Sequence, residues 1–434
     1  MSRQELAEAA NAWLWNNHQR RENLSEHDIG RYERGEVRWP RPWRREALRG
    51  VLGVTSDAEL GFYPRRRNTA EPSTTDGNER LAESDGPMRL SLPSTDQADQ
   101  GGEDSVTAVG QALGSIRAGL ITRRWAVDVD LSGVGLVGTW AGARAAHDAY
   151  QRADYAKVGR LLPGVVAAGE HVAEHSRGRV QQRAHRVLAF IYIAVSKLAV
   201  KLGDGELAWI AADRAATSAS FAEDRVIGAA ADYQIACALA GLPGRLDLAA
   251  EVVAVASDNL HLRGESSDPK ELSARGALLL LGAIVAARQG DRVAAAQNLE
   301  QAGRLTSTLG HDGNHLFTGF GPTNLMIHQV GTAVELHRPS QAIEIGDRLD
   351  TSRMPAALVS RRAQVHVDLA SAYAQTAGGD SPAVLHLLEV ERIAPQVLAA
   401  SRACRVLLAR LTARERRTAT PGLRALASRA GVLT

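Results

Sequence analysis

The sequence has few cysteines, few aromatic residues and few lysines. Cys237 and Cys404 are the only cysteines in 434 residues. Two thiols are too few for a disulfide framework or a cysteine zinc site, so we expect a reduced, cytoplasmic protein. Aromatic residues make up 4% of the chain and hydrophobic residues 44%, so the core must consist mainly of alanine, leucine and valine. Only four of the 51 basic residues are lysines, a bias that we attribute to the base composition of the genome.

Long apolar runs and catalytic motifs are also missing. No stretch of about 18 apolar residues occurs, so we expect no membrane span, and the N-terminus has no apolar signal-peptide core. The sequence has no Gly-x-Ser-x-Gly, no phosphate-binding loop and no paired nucleophile and base, so we expect neither an enzyme nor a cofactor. His311, Asp312 and His315 lack a second cluster that would complete a metal shell. Residues 319–324 could bind an anion at a helix N-terminus, but an ordinary helix start with Pro322 in its first turn is favoured.

Residues 68–108 are predicted to form an acidic, flexible linker. They contain 2 arginines and 9 acidic residues. Aliphatic side chains are almost absent, so the segment cannot bury enough apolar area to offset the entropy lost on ordering. The linker divides the chain into a small unit, residues 1–67, and a large unit, residues 109–434.

The large unit is predicted to be a succession of helices. Apolar residues recur every three or four positions, and strand signals are nearly absent. Two segments, 201–215 and 288–302, share a frame in which Gly-Asp forms a turn and alanines follow at fixed positions. The alanines of the frame are Ala208, Ala215, Ala295 and Ala302. Segment 372–395 repeats the frame with one extra turn residue, and segment 149–162 is a weaker copy. Small residues at these positions allow the two helices of a hairpin to approach closely.

This frame resembles the tetratricopeptide repeat, a helical hairpin that stacks into a solenoid. The 87 residues from Gly203 to Gly290 fit two repeats of roughly 43 residues, and six or seven hairpins would fill the unit. The resemblance implies an all-α fold, and a generic α-solenoid is the alternative. Either array has a concave face, which solenoids use to bind other molecules.

The small unit is predicted to contain three short helices. The second helix carries a capping box, a hydrophobic staple and a glycine stop, formed by Ser25 with Asp28, Leu24 with Ile29, and Gly35. This pattern predicts a helix over residues 26–34. Ser2 and Glu5 repeat the capping box before the first helix, and residues 43–54 predict the third.

These three helices resemble helices two, three and four of the XRE (lambda-repressor-like) helix-turn-helix domains. The matching positions are Gln4, Leu6, Ala7, Ile29, Gly30, Glu33 and Gly35. With its repeats, nearly the whole chain resembles actinobacterial XRE-type regulators that have a tetratricopeptide-like C-terminal half. The first helix of that family has no counterpart before Met1. About a dozen extra residues separate the first two helices, which we attribute to an extension of the first helix past Trp15 and a longer turn.

The resemblance implies that the second helix enters the major groove of a double-stranded DNA operator. We expect a homodimer, because one small unit reads too few base pairs for useful specificity. The candidate base and phosphate contacts are Arg3, Gln4, Glu26, His27, Gly30 and Arg31. We expect Glu33 to pair with a neighbouring arginine instead. A basic flank follows as a possible phosphate-contact strip, formed by Arg38, Arg41, Arg44, Arg45 and Arg49. The alternative for this flank is a solvated basic surface.

The resemblance also implies that the repeats sense a signalling peptide or a small molecule. Polar residues on the first helices of hairpins are the candidate ligand contacts, namely Tyr233, Gln234, Asn324, His328, Arg362 and His366. The last four form two pairs spaced four residues apart, so each pair shares one helix face. The alternative is that these polar groups cap neighbouring hairpins. A protein-interaction scaffold without DNA binding is the alternative function of the whole chain.

Overall fold

A computed structural model describes most of the chain, and most of what it describes is α-helix. The described residues are 2–18, 22–34, 37, 40–54, 57, 60, 62, 102–122, 131, 133–261, 267–415 and 420–433. The chain divides into two compact units, residues 1–74 and 75–434. No β-strand occurs among the described residues, so the all-α prediction is confirmed for them. None of the described helices combines the length and the apolar content that crossing a membrane requires.

The N-terminal unit has three described helices, and each begins close to its predicted start. They are α1 (Arg3–His18), α2 (Glu26–Glu33) and α3 (Pro42–Leu52). The Ser25 hydroxyl accepts the Asp28 N–H at 3.3 Å, and the Asp28 carboxylate accepts the Ser25 N–H at 3.2 Å, which completes the capping box. Ser2 and Glu5 form the same pair of bonds before α1. The predicted extension of the first helix past Trp15 is present, because α1 continues to His18.

Small and aliphatic side chains form the core of the N-terminal unit. Leu24 and Ile29 are both buried in it, as the staple predicts. The Asn11 amide holds the loop before α2, because it donates to the Leu24 carbonyl and accepts the Leu24 N–H, both at 2.9 Å. Gly35 and Arg38 lie outside the described residues. The other buried members of the core are Ala7, Ala10, Leu14, Ala47, Leu48 and Phe62.

The second unit has sixteen described helices. They are α4 (Gly102–Thr122), α5 (Leu136–Gln151), α6 (Tyr155–His175), α7 (Gly178–Leu202), α8 (Gly205–Phe221), α9 (Arg225–Gly241), α10 (Leu246–His261), α11 (Pro269–Arg288), α12 (Arg292–Leu309), α13 (Pro322–Glu335), α14 (Pro339–Asp347), α15 (Val359–Tyr373), α16 (Asp380–Ile393), α17 (Pro395–Ala400), α18 (Arg402–Arg414) and α19 (Leu423–Arg429). Residues 102–108, at the end of the predicted linker, are therefore helical. Residues 68–101 of that linker lie outside the described part of the chain.

Glycine and aspartate form two turns of this unit in the way the repeated frame predicts. Gly203 and Gly290 have left-handed φ angles of 82° and 80°, which residues with a side chain rarely adopt. Asp204 and Asp291 then cap the following helices by accepting backbone N–H bonds. The four alanines of the frame are fully buried between the helices, at Ala208, Ala215, Ala295 and Ala302.

Neighbouring helices pack as hairpins, and alternate helices form an inner row. In this row each helix contacts the next, in the order α5, α7, α9, α11, α13 and α15. α15 also contacts α5, and Ala143 of α5 and Ala363 of α15 belong to the same buried cluster. The solenoid-like packing of successive helices is therefore present, but the inner row is closed, because its last helix, α15, contacts its first helix, α5. The concave face expected of an open solenoid becomes the wall of a central cavity.

Candidate functional site

The predicted base-reading residues lie at the exposed start of α2. Glu26 and His27 are exposed, whereas Arg31 is half-buried and Gly30 is buried. Gly30 faces arginine side chains of its own unit, because a Cβ there would lie 3.0 Å from the Arg34 guanidinium and 3.6 Å from that of Arg3. The part of α2 that remains open to another molecule is therefore its first turn.

The two predicted phosphate contacts at the start of α1 have partners within the unit. The Arg3 Nε donates to Glu33 at 2.7 Å, so the expected pairing of Glu33 with an arginine is present. The Gln4 amide donates to Glu8 at 3.0 Å. Both contacts are exposed to solvent, where such pairs contribute little stability. Either side chain can therefore exchange its present partner for a phosphate at low cost.

Arg44 of the basic flank is a structural residue. It is 21% exposed and donates to Glu22 at 3.1 Å and 3.2 Å and to the Tyr32 hydroxyl at 3.1 Å. Its guanidinium also lies 3.8 Å from Asp28. Burial opposes its charge, but the hydrogen bonds to Tyr32 and Glu22 raise the pKa of Arg44 on balance. Arg44 thus ties α3 to α2 and to the loop before it.

The rest of the flank is divided between paired and exposed arginines. Arg45 and Arg49 both form ion pairs with Asp57, and Arg45 also donates to the Pro40 carbonyl at 2.9 Å. Arg41 is exposed, with its guanidinium 5.6 Å from the centre of the Trp43 ring. Most arginines of the predicted strip therefore pair with groups of their own unit, whereas Arg41 is open to solvent.

The second unit contains a central cavity of about 170 Å³. Side chains of α5, α7, α9, α11 and α15 line it, together with the turn at residues 316–318. Two of the residues predicted to contact a ligand, Tyr233 and Gln234 on α9, are among the lining residues. The cavity is thus the place where the inner faces of five helices from distant parts of the sequence meet.

Three cationic side chains face this cavity. They are Lys197 and Lys201 on α7 and Arg361 on α15. Lys197 donates to the Phe317 carbonyl at 2.9 Å, and the Arg361 guanidinium interacts with the Tyr233 hydroxyl. Burial, together with the nearby Arg361 charge, lowers the pKa of Lys197 to about 7. Burial also lowers the pKa of Lys201.

The turn at residues 314–318 crosses one side of the cavity and is held from several directions. Gln151 and Asn314 exchange two amide hydrogen bonds, at 2.8 Å and 2.9 Å. The Phe317 ring stacks on the His147 ring, with centroids 4.2 Å apart. Leu316 and Phe317 have φ angles of 53° and 57°, which are uncommon for residues with a side chain. Packing and hydrogen bonds together hold this turn in a strained conformation.

Asn324 and His328 share one face of α13 but do not line the cavity. Asn324 is 2% exposed, and its Oδ1 has no hydrogen-bond partner among the described residues. His328 Nδ1 lies 2.9 Å from the Asn324 carbonyl. Burial and the Arg361 charge lower the pKa of His328 to about 3, so this ring is neutral at physiological pH.

Arg362 and His366 also share a helix face, which is turned away from the cavity. Arg362 donates to the backbone carbonyls of four residues in the loop before α15, namely Thr351, Met354, Pro355 and Ala356. His366 Nδ1 lies 3.0 Å from the Nδ1 of His386 on α16. On α15, the cavity is instead faced by Arg361 and Gln364.

Sequence reasoning missed Lys197, Lys201 and Arg361. A signal for the first two was present: they are four residues apart within the apolar stretch of α7. Two charges on one face of an otherwise apolar stretch of helix indicate a buried polar site. No comparable signal marks Arg361, because Arg362 is the next residue and the sequence does not indicate which of the two arginines faces inward.

The structure gives a structural role to the residues near position 312, where the sequence disfavours both a metal and an anion site. The Asp312 carboxylate accepts the Thr323 N–H at 2.9 Å and the Thr323 hydroxyl at 2.6 Å. It therefore occupies the N-terminus of α13. No cluster of potential metal ligands occurs in the described part of the chain.

Comparison with known proteins gives this chain no relative. No family model matches it, and neither does any curated protein or solved structure. The geometry of the two units is therefore the basis for assigning a function.

Proposed function

We propose that the chain is a transcriptional regulator of the XRE type, in which the N-terminal unit binds operator DNA and the tetratricopeptide-like unit senses a peptide or small-molecule signal. The observation that carries this proposal is α2, a short helix with a complete capping box, whose exposed first turn presents Glu26 and His27. Helix-turn-helix proteins contact base edges with the first residues of such a helix. We further propose that the protein acts as a homodimer in the cytoplasm.

The second candidate is a protein-interaction scaffold that does not bind DNA. The ion pairs of the basic flank favour it, because Arg44, Arg45 and Arg49 each have a carboxylate partner within the unit. A phosphate backbone would have to compete with those carboxylates. The two candidates differ in whether the full chain binds duplex DNA in a salt-dependent way.

Fluorescence anisotropy with a random-sequence duplex at several salt concentrations separates the candidates. A regulator should bind with an affinity that falls steeply with salt, because each phosphate contact releases counterions. Arg41→Ala should make the slope of log K against log salt shallower by about 1. Arg304→Ala is the matched control, since Arg304 is an exposed arginine of the other unit paired with Glu300.

His27→Ala tests base reading separately. It should reduce the preference for an operator found by genomic footprinting by about 1–3 kcal/mol and leave random-sequence binding unchanged. Absence of any salt-dependent binding by the wild-type chain would leave the scaffold as the function.

A further inference from the structure

The charge that lines the central cavity is of one sign. Lys197, Lys201 and Arg361 face it, and none of its described lining residues is acidic. The chain has only four lysines, and two of them are at this one site. A general shortage of lysine therefore does not explain the composition of the cavity wall.

These three cations are half-buried and lack the carboxylate partners that usually compensate charges removed from water. Among the described residues, no carboxylate lies within 4.0 Å of any of the three. Asp368, farther along α15, accepts from Gln364 at 2.8 Å, and burial raises the pKa of Asp368 to about 7. Unpaired charges away from bulk water are costly unless another charge approaches them. The positive charge of the cavity is therefore uncompensated, and a bound anion would compensate it.

The rest of the wall is mostly apolar, and the space is small. Ala230, Ala277, Leu358 and Phe317 contribute to it. The volume of about 170 Å³ is close to the ~150 Å³ that accommodates benzene in an apolar protein cavity. A hydrated inorganic ion would leave this apolar surface without contacts, whereas a compact organic acid would cover it.

We propose that the cavity binds a small organic carboxylate, with its charged group between Lys201 and Arg361 and its apolar body against Leu358 and the 316–318 turn. The proposal rests on the sensing role proposed above for this unit, and it names the chemical class of the signal. The Tyr233 hydroxyl, beside Arg361, is placed to donate to the same carboxylate. Lys197 already donates to the Phe317 carbonyl, so it adds positive potential and holds the turn in place.

Calorimetry and thermal unfolding of the full chain with benzoate test the proposal. Benzoate should bind and raise the melting temperature, because a ligand that binds only the folded state stabilises it. Benzamide has the same shape without the charge, and acetate has the charge without the apolar body. Both should bind at least about tenfold more weakly than benzoate. Inorganic phosphate should produce no shift at the same concentration.

Each alternative result overturns the proposal in a different way. Equal binding of benzoate and benzamide would show an apolar cavity in which the cations have no role. Stronger binding of phosphate than of benzoate would show an anion site that is not made for organic acids. No response to any of the four compounds would show that the cavity is not a site for this class of ligand. These comparisons need only the wild-type chain.

Two variants then locate the binding. Lys201→Met and Arg361→Met should each weaken benzoate binding at least about tenfold, since each removes one partner of a desolvated charge pair. Lys201→Met should also raise the melting temperature of the ligand-free chain, because it removes an uncompensated charge. The control Arg304→Met should leave benzoate binding unchanged. Wild-type affinity in both cavity variants would place benzoate elsewhere and overturn the proposal.

The failure of this proposal and that of DNA binding are distinguishable. Benzoate binding should be unaffected by Arg41→Ala, which acts only on the N-terminal unit. If the chain binds benzoate but no DNA, the cavity proposal stands and the regulator proposal fails. If the chain binds DNA but no benzoate, the regulator proposal stands and the cavity proposal fails.

Discussion

Arg361 and Arg362 are adjacent on α15 and have different tasks. Arg361 lines the central cavity, whereas Arg362 donates to four carbonyl groups of the preceding loop. Successive positions on an α-helix point about 100° apart, because the helix has 3.6 residues per turn. The same side-chain chemistry therefore serves ligand recognition at one position and loop anchoring at the next.

Lys197 provides a pH-dependent prediction at this scale. Its pKa in the folded chain is about 7, against an ordinary value of 10.5. Below pH 7 the lysine is charged in both states, and its burial destabilises the fold. Between pH 7 and 10 the unfolded chain holds more protons, so the free energy of unfolding should rise with pH. The charged and titratable groups around Lys197 are Arg361, Cys237, His147 and Tyr150.

Urea unfolding of wild type and Lys197→Met at pH 7, 8.5 and 10 measures this effect. The variant loses the hydrogen bond to the Phe317 carbonyl at every pH, but its stability relative to wild type should be highest at pH 7 and should fall toward pH 10. Because other groups titrate in both proteins, the difference between them isolates Lys197. A constant difference across the range would contradict the lowered pKa.

At the scale of helices and turns, the sequence predicted where helices begin better than it predicted which face of a helix turns inward. The Ser25–Asp28 capping box and the Gly203–Asp204 turn involve residues within four positions of each other, so their geometry is encoded locally. The cavity is different, because Lys197 and Arg361 meet only when α7 and α15 pack into the inner row. No local pattern indicates which face of α15 turns inward. The predicted pair Arg362 and His366 shares a face, but not the face toward the cavity.

The aspartate caps predict a graded loss of stability. Asp291 accepts two N–H bonds at the start of α12, and Asp291→Ala should cost about 1 kcal/mol. Asp204 caps α8 and also accepts from Arg117 of α4 at 2.6 Å. Asp204→Ala should therefore cost more, by up to about 1 kcal/mol for this half-exposed ion pair.

Asp204→Asn is the matched control for the caps, since asparagine is an equally good N-cap residue but cannot form the ion pair. The urea midpoint should be lowest for Asp204→Ala, higher for Asp291→Ala, and closest to wild type for Asp204→Asn. If Asp204→Asn were as unstable as Asp204→Ala, the ion pair and not the cap would hold this turn.

At the scale of the molecule, the contact between α5 and α15 distinguishes this unit from an open array. Open repeat arrays fray from their ends, because terminal repeats have one neighbour. Here the first and last helices of the inner row contact each other, and the Gln151–Asn314 amide pair adds a further tie across the cavity.

Hydrogen exchange followed by mass spectrometry can test this closure. Backbone amides of α5 and α15 should exchange about as slowly as those of α9 in the middle of the row, since all three open together. The exposed first turn of α12, which lies outside the inner row, provides a fast-exchanging comparison. Exchange of α15 that is orders of magnitude faster than that of α9 would indicate an open array.

Closure of the inner row also affects how the chain folds during synthesis. α15 follows α5 by about 220 residues, which corresponds to about 11–44 s of translation. During this interval the inner faces of α5 and α7 lack their last neighbour, and Lys197 and Lys201 remain hydrated. The desolvation of these lysines is therefore a late event, which takes place when α15 packs and Arg361 completes the cavity wall. A nascent chain that stops before residue 359 should consequently be a substrate for chaperones, however well its individual hairpins have formed.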